Sequence, residues 1–366
     1  MIDRRVIKRK IGGKMVKKYK IAFIFIVENG DLEYKGILLG ESLRKFFPCR
    51  DKVPIFAVRP RKGKEINEST MRRFTELGIV YIYEPVNIKW RNLPFANQAY
   101  GTALVEDKLK DDTEILVYLD ADIVSLKYPE KLFMPDNIKV LVTPVDASIG
   151  NVAQYNKELP KNFKFSYNLN GVDPKQLWSV STKIDKVEIY PCFNSGFIAV
   201  RPEIGIFRRW KEMFEISVRR GYFGIVNPRL SEFFYTDQVF LSSIIVSILK
   251  KDEIGILDDG YNFPLQFAQR IYESHGKIDF NKITLIHYHH SFYDMEWTTF
   301  FNIENENFSW LISKLPLPKD RNTTVYRHKI ELIKQYILYN YWRTKLMFGS
   351  LNKVDKIGDK FSKISK

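Results

Sequence analysis

The sequence predicts an α/β fold with a mostly parallel central sheet. Three observations carry that expectation. Short apolar runs alternate with segments whose apolar residues recur at helical spacing, the pattern of βαβ units. The runs are apolar almost throughout rather than alternating, as strands covered on both faces are. One of them, EILVYLDADIV (114–124), then runs into two carboxylates, Asp120 and Asp122. Open α/β sheets hold their ligands at such strand ends.

Taken in order, KIAFIFIVE (20–28) is the first strand and YKGILLGESLRKFF (34–47) the first helix. VPIFAVRP (53–60) and IVYIYEP (79–85) are strands on either side of a helix, INESTMRRFTELG (66–78), stopped by Gly78. A helix over NQAYGTALVEDKL (97–109) leads to the Asp-bearing strand, and right-handed crossovers would join these units. VLVTPVD (140–146) is a further strand. Residues 147–190 show no regular pattern, and a stretch of that length is expected to be functional or mobile. CFNSGFIAVRP (192–202) is a strand, followed by a helix near 203–220. TDQVFLSSIIVSILK (236–250) reads as a buried helix opened by Thr236. IGILDDGYNFPLQ (254–266) and ITLIHYHHSF (283–292) are strand-like again.

The net charge of +15 is unevenly placed. Residues 1–20 carry +8, residues 319–366 carry another +8, and the body over 21–318 is close to neutral. A nucleic-acid-binding fold needs a basic stripe on the fold itself, so the neutral body argues against one. Basic ends point to an anionic surface, either membrane or nucleic acid, and a membrane is the surface expected here. In the C-terminal tail, apolar or aromatic residues at 326, 330, 333, 337 and 341 lie beside basic ones, which fits equally an interfacial amphipathic helix and a helix packed against the body or across a dimer. Cys49 and Cys192 make neither a disulfide framework nor a thiolate metal site. No secretory signal is evident, and the run at 21–27 is too short to span a bilayer. The expected location is the cytoplasm, peripheral on the inner face of the membrane.

Four clusters can carry chemistry: Asp120 with Asp122, CFNSG (192–196), Asp237 with Gln238, and His287, His289 and His290. Hard oxygen ligands with an imidazole suit Mn²⁺ or Mg²⁺. Such a cation can bridge diphosphate oxygens and neutralise a leaving phosphate.

In their order along the chain, YLDADIV, TPVD (143–146), CFNSGFIAVRP, TDQVFL (236–241), YNFPL (261–265) and LIHYHH (285–290) resemble the glycogenin-like glycosyltransferases, family 8 of the GT-A fold. The resemblance implies a single GT-A domain over 21–318 with a C-terminal helical extension. It implies metal-dependent transfer, with retention, from a nucleotide-sugar, UDP-linked rather than GDP-linked, to a glycan, lipid-linked or protein acceptor. It assigns Asp120, Asp122 and His287 to the metal, and Asp237 and Gln238 to the reacting face of the sugar. Asp146, Asn194, Ser195 and Gly196 would line the sugar, with His289 and His290 on the sugar and acceptor side. Val27, Glu28 and Asn29, with Gln98 and Ala121, would meet the nucleotide.

The chain departs from the family in three places. No lysine lies between His287 and Trp297, where a clamp on the donor diphosphate is expected, and His289 or His290 is the candidate substitute. Gln98, Tyr100 and Thr102 stand where a basic residue is usual. The 147–190 stretch is long and lies between two sugar-site motifs, which implies a mobile acceptor-side lid. Two other classes were open: a sugar-nucleotide pyrophosphorylase, which would need a Gly-rich phosphate loop that VENGDLEYKG (27–36) lacks, and a non-enzymatic nucleic-acid binder.

Overall fold

The computed structural model describes residues 10–11, 14–15, 18–88, 90, 95–148, 152–220, 222, 235–302 and 306–318. The C-terminal tail and its expected amphipathic helix lie outside the described residues, as does most of the N-terminal tail. The sequence folds first into parallel βαβ units: β1 (Tyr19–Ile26), α1 (Asp31–Phe46), β2 (Ile55–Arg59), α2 (Glu68–Glu76), β3 (Ile79–Tyr83), α3 (Ala96–Leu109) and β4 (Thr113–Leu119). Alternate residues of β1 enter opposite cores. Ala22, Ile24 and Ile26 share one with Ala99 and Tyr100 of α3, while Ile21, Phe23 and Phe25 share the other with Leu39 of α1 and Phe74 of α2. Two covered faces explain a run with no polar alternation.

Past β4 the chain makes β5 (Ile123–Ser125) and β6 (Val140–Pro144), then α4 (Lys161–Asn170) and β7 (Phe193–Val200). It continues through α5 (Ile206–Arg219), α6 (Thr236–Ile248) and β8 (Ile254–Ile256). The seven-stranded sheet has the order β8-β6-β7-β4-β1-β2-β3, with β7 antiparallel to both neighbours. The α/β class and mostly parallel sheet expected from the sequence are what the chain adopts. A smaller sheet stands at its edge: β9 (Phe263–Pro264) pairs with β10 (Leu285–His287), and β10 pairs antiparallel with β5. Among the described residues, no helix is long and apolar enough to cross a membrane.

Three expectations are corrected. α1 begins at Asp31, ahead of the expected Tyr34, because Glu33 reaches back to accept the Gly30 N–H at 2.9 Å where Gly30 sits at φ 104°. The 147–190 stretch is not structureless. It carries α4, whose Asn162, Phe163, Ser166 and Tyr167 are buried at helical spacing, with Ser166 bonded to Ser243 of α6. Two of those four side chains are polar, which hid the stripe. Finally, the strand-like runs near the C-terminus shorten to β8, β9 and β10, since Asp258 and Gly260 form a turn closed by a 2.9 Å bond.

Candidate active site

The site is assembled by two strand pairings. β7 pairs with β4 so that Phe197 lies opposite Leu119, and the Asp120 N–H donates to the Gly196 carbonyl at 2.7 Å. Between β7 and β6 the register shifts from Phe193 to Ile198. Such an irregularity frees Asn194, Ser195 and Gly196 from the ladder and turns them to the strand end. Asn194 Oδ1 then accepts the Gly196 N–H. The second pairing sets His287 of β10 opposite Ile123 of β5, and the Tyr288 N–H donates to the Asp122 carbonyl.

As a result His287 Nε2 lies 3.1 Å from Asp122 Oδ1 and 4.0 Å from Asp120 Oδ2. A methyl group on Gly196 would lie 2.7 Å from both Asp120 Oδ2 and His287 Cε1, so a glycine there keeps the gap open. Asp120 Oδ1 accepts from Tyr118 at 2.5 Å and from Gln98 Nε2 at 2.9 Å. Burial, reinforced by the neighbouring Asp122, pushes Asp120 up to about 6. Burial opposes ionisation of Asp122 as well, but Lys35 and His287 overcome it and hold that carboxyl well below its usual range. His287 responds in kind: burial lowers it, and the two aspartates raise it above its ordinary value. Burial and, after it, the charge of His287 take His289 down to about 3.

Asp120, Asp146, Asp237, Gln238, His287 and His289 line one cavity of about 550 Å³. Gln98, Asn194, Ser195, Gly196 and His290 complete the predicted residues that it gathers. Asp237 sits in the first turn of α6, where the Ser195 hydroxyl donates to Oδ2 and Oδ1 has no partner among the described residues. Burial raises it to about 7. Asp146 is also raised by burial, and its Oδ1 is unpartnered among the described residues. Val27, Glu28 and Asn29 stand at the end of β1. There Glu28 takes Arg61 and, at 2.9 Å, Asn97, while Asn29 bonds Glu33. Ala121 is buried between the two aspartates.

Sequence reasoning missed Lys35. Its ammonium donates to Asp122 Oδ2 at 3.0 Å and to the His289 carbonyl at 3.1 Å. The signal was a lysine in the buried stripe Lys35, Leu38 and Ser42 of α1, since a buried ammonium requires an anion. Lys183 and the cavity-lining Phe163 were missed as well. Lys183 is buried, donates to the Tyr261 and Asn262 carbonyls, and is lowered by burial to about 8.

Residues 23–248 match the Rhodobacterales glycosyltransferase domain family. The chain belongs to that family. It is therefore a glycosyltransferase, which sets aside the pyrophosphorylase and nucleic-acid readings. No curated protein matches this glycosyltransferase. Among solved structures, it is similar at 13% identity to the galactosyltransferase LgtC in complex with donor and acceptor sugar analogues, over 82% of this chain and 98% of that one, with a TM-score of 0.46. GlyE of Streptococcus pneumoniae TIGR4 gives 12% identity over 87% and 64%, TM-score 0.43. Mouse xyloside xylosyltransferase 1 gives 13% over 74% and 97%, TM-score 0.41.

Proposed function

We propose that the chain is a metal-dependent, retaining glycosyltransferase of the glycogenin-like type. It would draw its sugar from a UDP-linked rather than a GDP-linked donor and pass it to a glycan, lipid-linked or protein acceptor. The observation that carries the reading is the convergence of Asp120, Asp122 and His287 from separate stretches of chain, beside Asp237 and Gln238. The open gap at Gly196 and His289 Nε2, which has no hydrogen-bond partner among the described residues, fit a cation there. Asp120, Asp122 and His287 would hold Mn²⁺ or Mg²⁺, which when bound neutralises charge growing on a departing diphosphate.

The chain's own residues do the rest. Gln98 fixes Asp120, and Lys35 fixes Asp122. Asp146, Asn194 and Ser195 meet sugar hydroxyls. Asp237 stabilises positive charge developing at the reacting sugar carbon, and that charge in turn favours its ionised form. The Gln238 amide hydrogen-bonds the sugar on the same face. Val27, Glu28, Asn29 and Ala121 meet the nucleoside. The 147–190 stretch is the acceptor-side wall, packed through α4. The basic ends attach the enzyme to the cytoplasmic face of an anionic membrane, at about 1 kcal/mol per Lys or Arg near the surface.

Nucleotide-sugar hydrolysis with Mn²⁺, compared across UDP- and GDP-sugars, tests the donor. Asp122→Ala should lower turnover at least about 10³-fold, the scale of a lost Lewis acid. It should also abolish Mn²⁺-dependent UDP binding, and unchanged UDP binding would reject the metal assignment. NMR of the first-formed product reads the anomer. An inverted one would recast Asp237 as a general base.

A further inference from the structure

The metal reading above takes one imidazole, from His287. We infer that His289 is a second imidazole ligand of the same ion, and that the added nitrogen selects Mn²⁺ over Mg²⁺. An Asp122 oxygen and one ring nitrogen each from His287 and His289 all lie within 4.8 Å of one another. The two rings are stacked, with centroids 3.9 Å apart and planes 29° apart, so they approach this point from the same side.

Two further observations point to a ligand. His289 Nε2 is buried without a hydrogen-bond partner among the described residues, while His287 turns its Nε2, 3.1 Å from Asp122 Oδ1, toward the aspartates. Buried polar nitrogens are seldom left so. His289 also holds the left-handed backbone conformation, φ 49°, which costs a non-glycine residue energy unless its surroundings impose it. Lys35 imposes it. One ammonium grips the His289 carbonyl and Asp122 Oδ2 together, so the two groups are set in mutual register.

The chemistry of the donor set follows. Two carboxylates and two imidazoles form a mixed oxygen and nitrogen site. Mg²⁺ favours oxygen ligands and keeps much of its water, whereas transition ions accept imidazole readily, with Mn²⁺ the weakest of that series. Mn²⁺ should therefore outcompete equimolar Mg²⁺, and Co²⁺ should bind more tightly still.

The test uses the full chain without nucleotide, titrated with Mn²⁺ and read by pulsed electron paramagnetic resonance, which counts coordinated imidazole nitrogens. Two imidazoles are expected in the wild type and in His290→Asn, and one in His289→Asn. Asn is chosen because it tolerates the left-handed conformation. The Mn²⁺ dissociation constant of His289→Asn should rise by at least the roughly 10–100-fold lost with an outer-shell partner, and Mg²⁺ should compete better. A single imidazole in the wild type, or an unchanged spectrum and affinity in His289→Asn, would overturn the role of His289 and leave the Asp120, Asp122 and His287 site standing. Failure to bind Mn²⁺ at all would instead reject the metal reading, and this inference with it.

Discussion

Glu33 and Asp237 are both buried carboxylates in the first turn of a helix, yet the protein treats them in opposite ways. Glu33 receives five hydrogen bonds: from Gly30 N, the Asn29 amide, Asn67 N and its amide, and the Thr70 hydroxyl, at 2.6–2.9 Å. They tie the start of α1 to the start of α2. Asp237 takes one side-chain bond, from Ser195, and keeps Oδ1 open. The same holds around it, where Gln98 Oε1, Asp146 Oδ1, His287 Nδ1 and His289 Nε2 are unpartnered among the described residues. Leaving a buried acceptor unmet costs about 1–3 kcal/mol. Under the proposed function, the five polar atoms left open around one cavity are the places where donor, sugar and cation would bind.

The sharpest way to break this contrast is Asp237→Asn. Turnover should fall about 10²–10³-fold, the usual cost of removing an electrostatic stabiliser. In the folded chain Asp237 keeps its proton to about pH 7 because of burial, whereas an unfolded aspartate loses it near about 3.9. The folded state binds the extra proton across that window, so the stability it contributes is present below the window and lost as pH rises through about 7. Asp237→Asn should therefore raise Tm at pH 8 and leave it nearly unchanged at pH 4. A lower Tm at pH 8 would mean the carboxylate is structural, like Glu33.

A smaller effect is expected from Gly196→Ala. The new methyl would press on Asp120 Oδ2 and His287 Cε1, and Mn²⁺ affinity, measured by calorimetry, should drop about 10–100-fold. The least effect on turnover belongs to Glu33→Gln, which sets an amide N–H₂ among five donors. Stability should fall by about 1–3 kcal/mol, seen as a lower urea midpoint at unchanged slope. Activity per folded molecule should hold. If Glu33→Gln cost activity and no stability, the two carboxylates would not differ as argued.

The parts legible in the sequence were those written locally. β1 and β4 are recognisable because both faces are covered and the letters stay apolar, and Asp120 and Asp122 stand out against that run. α4 escaped notice because Asn162 and Ser166 on its buried face are polar letters, and Ser166 finds its partner, Ser243, only after α6 packs on it. Lys35 escaped for a related reason: its anion lies 87 positions away. The register shift after Phe193, which turns Ser195 toward Asp237, depends on two neighbouring strands at once and leaves no mark in either.

The β5–β10 pairing sets the order in which the enzyme can mature. It joins Asp122 to His287, 165 residues apart in the chain. Contacts of such separation form late, after the local units they connect. On the ribosome, a chain emerging N-terminus first displays both aspartates well before any imidazole can reach them. On the proposed metal reading, the capacity to hold a cation through His287 would then appear only when the last third of the polypeptide has docked, so metal uptake would double as a timestamp of completed synthesis.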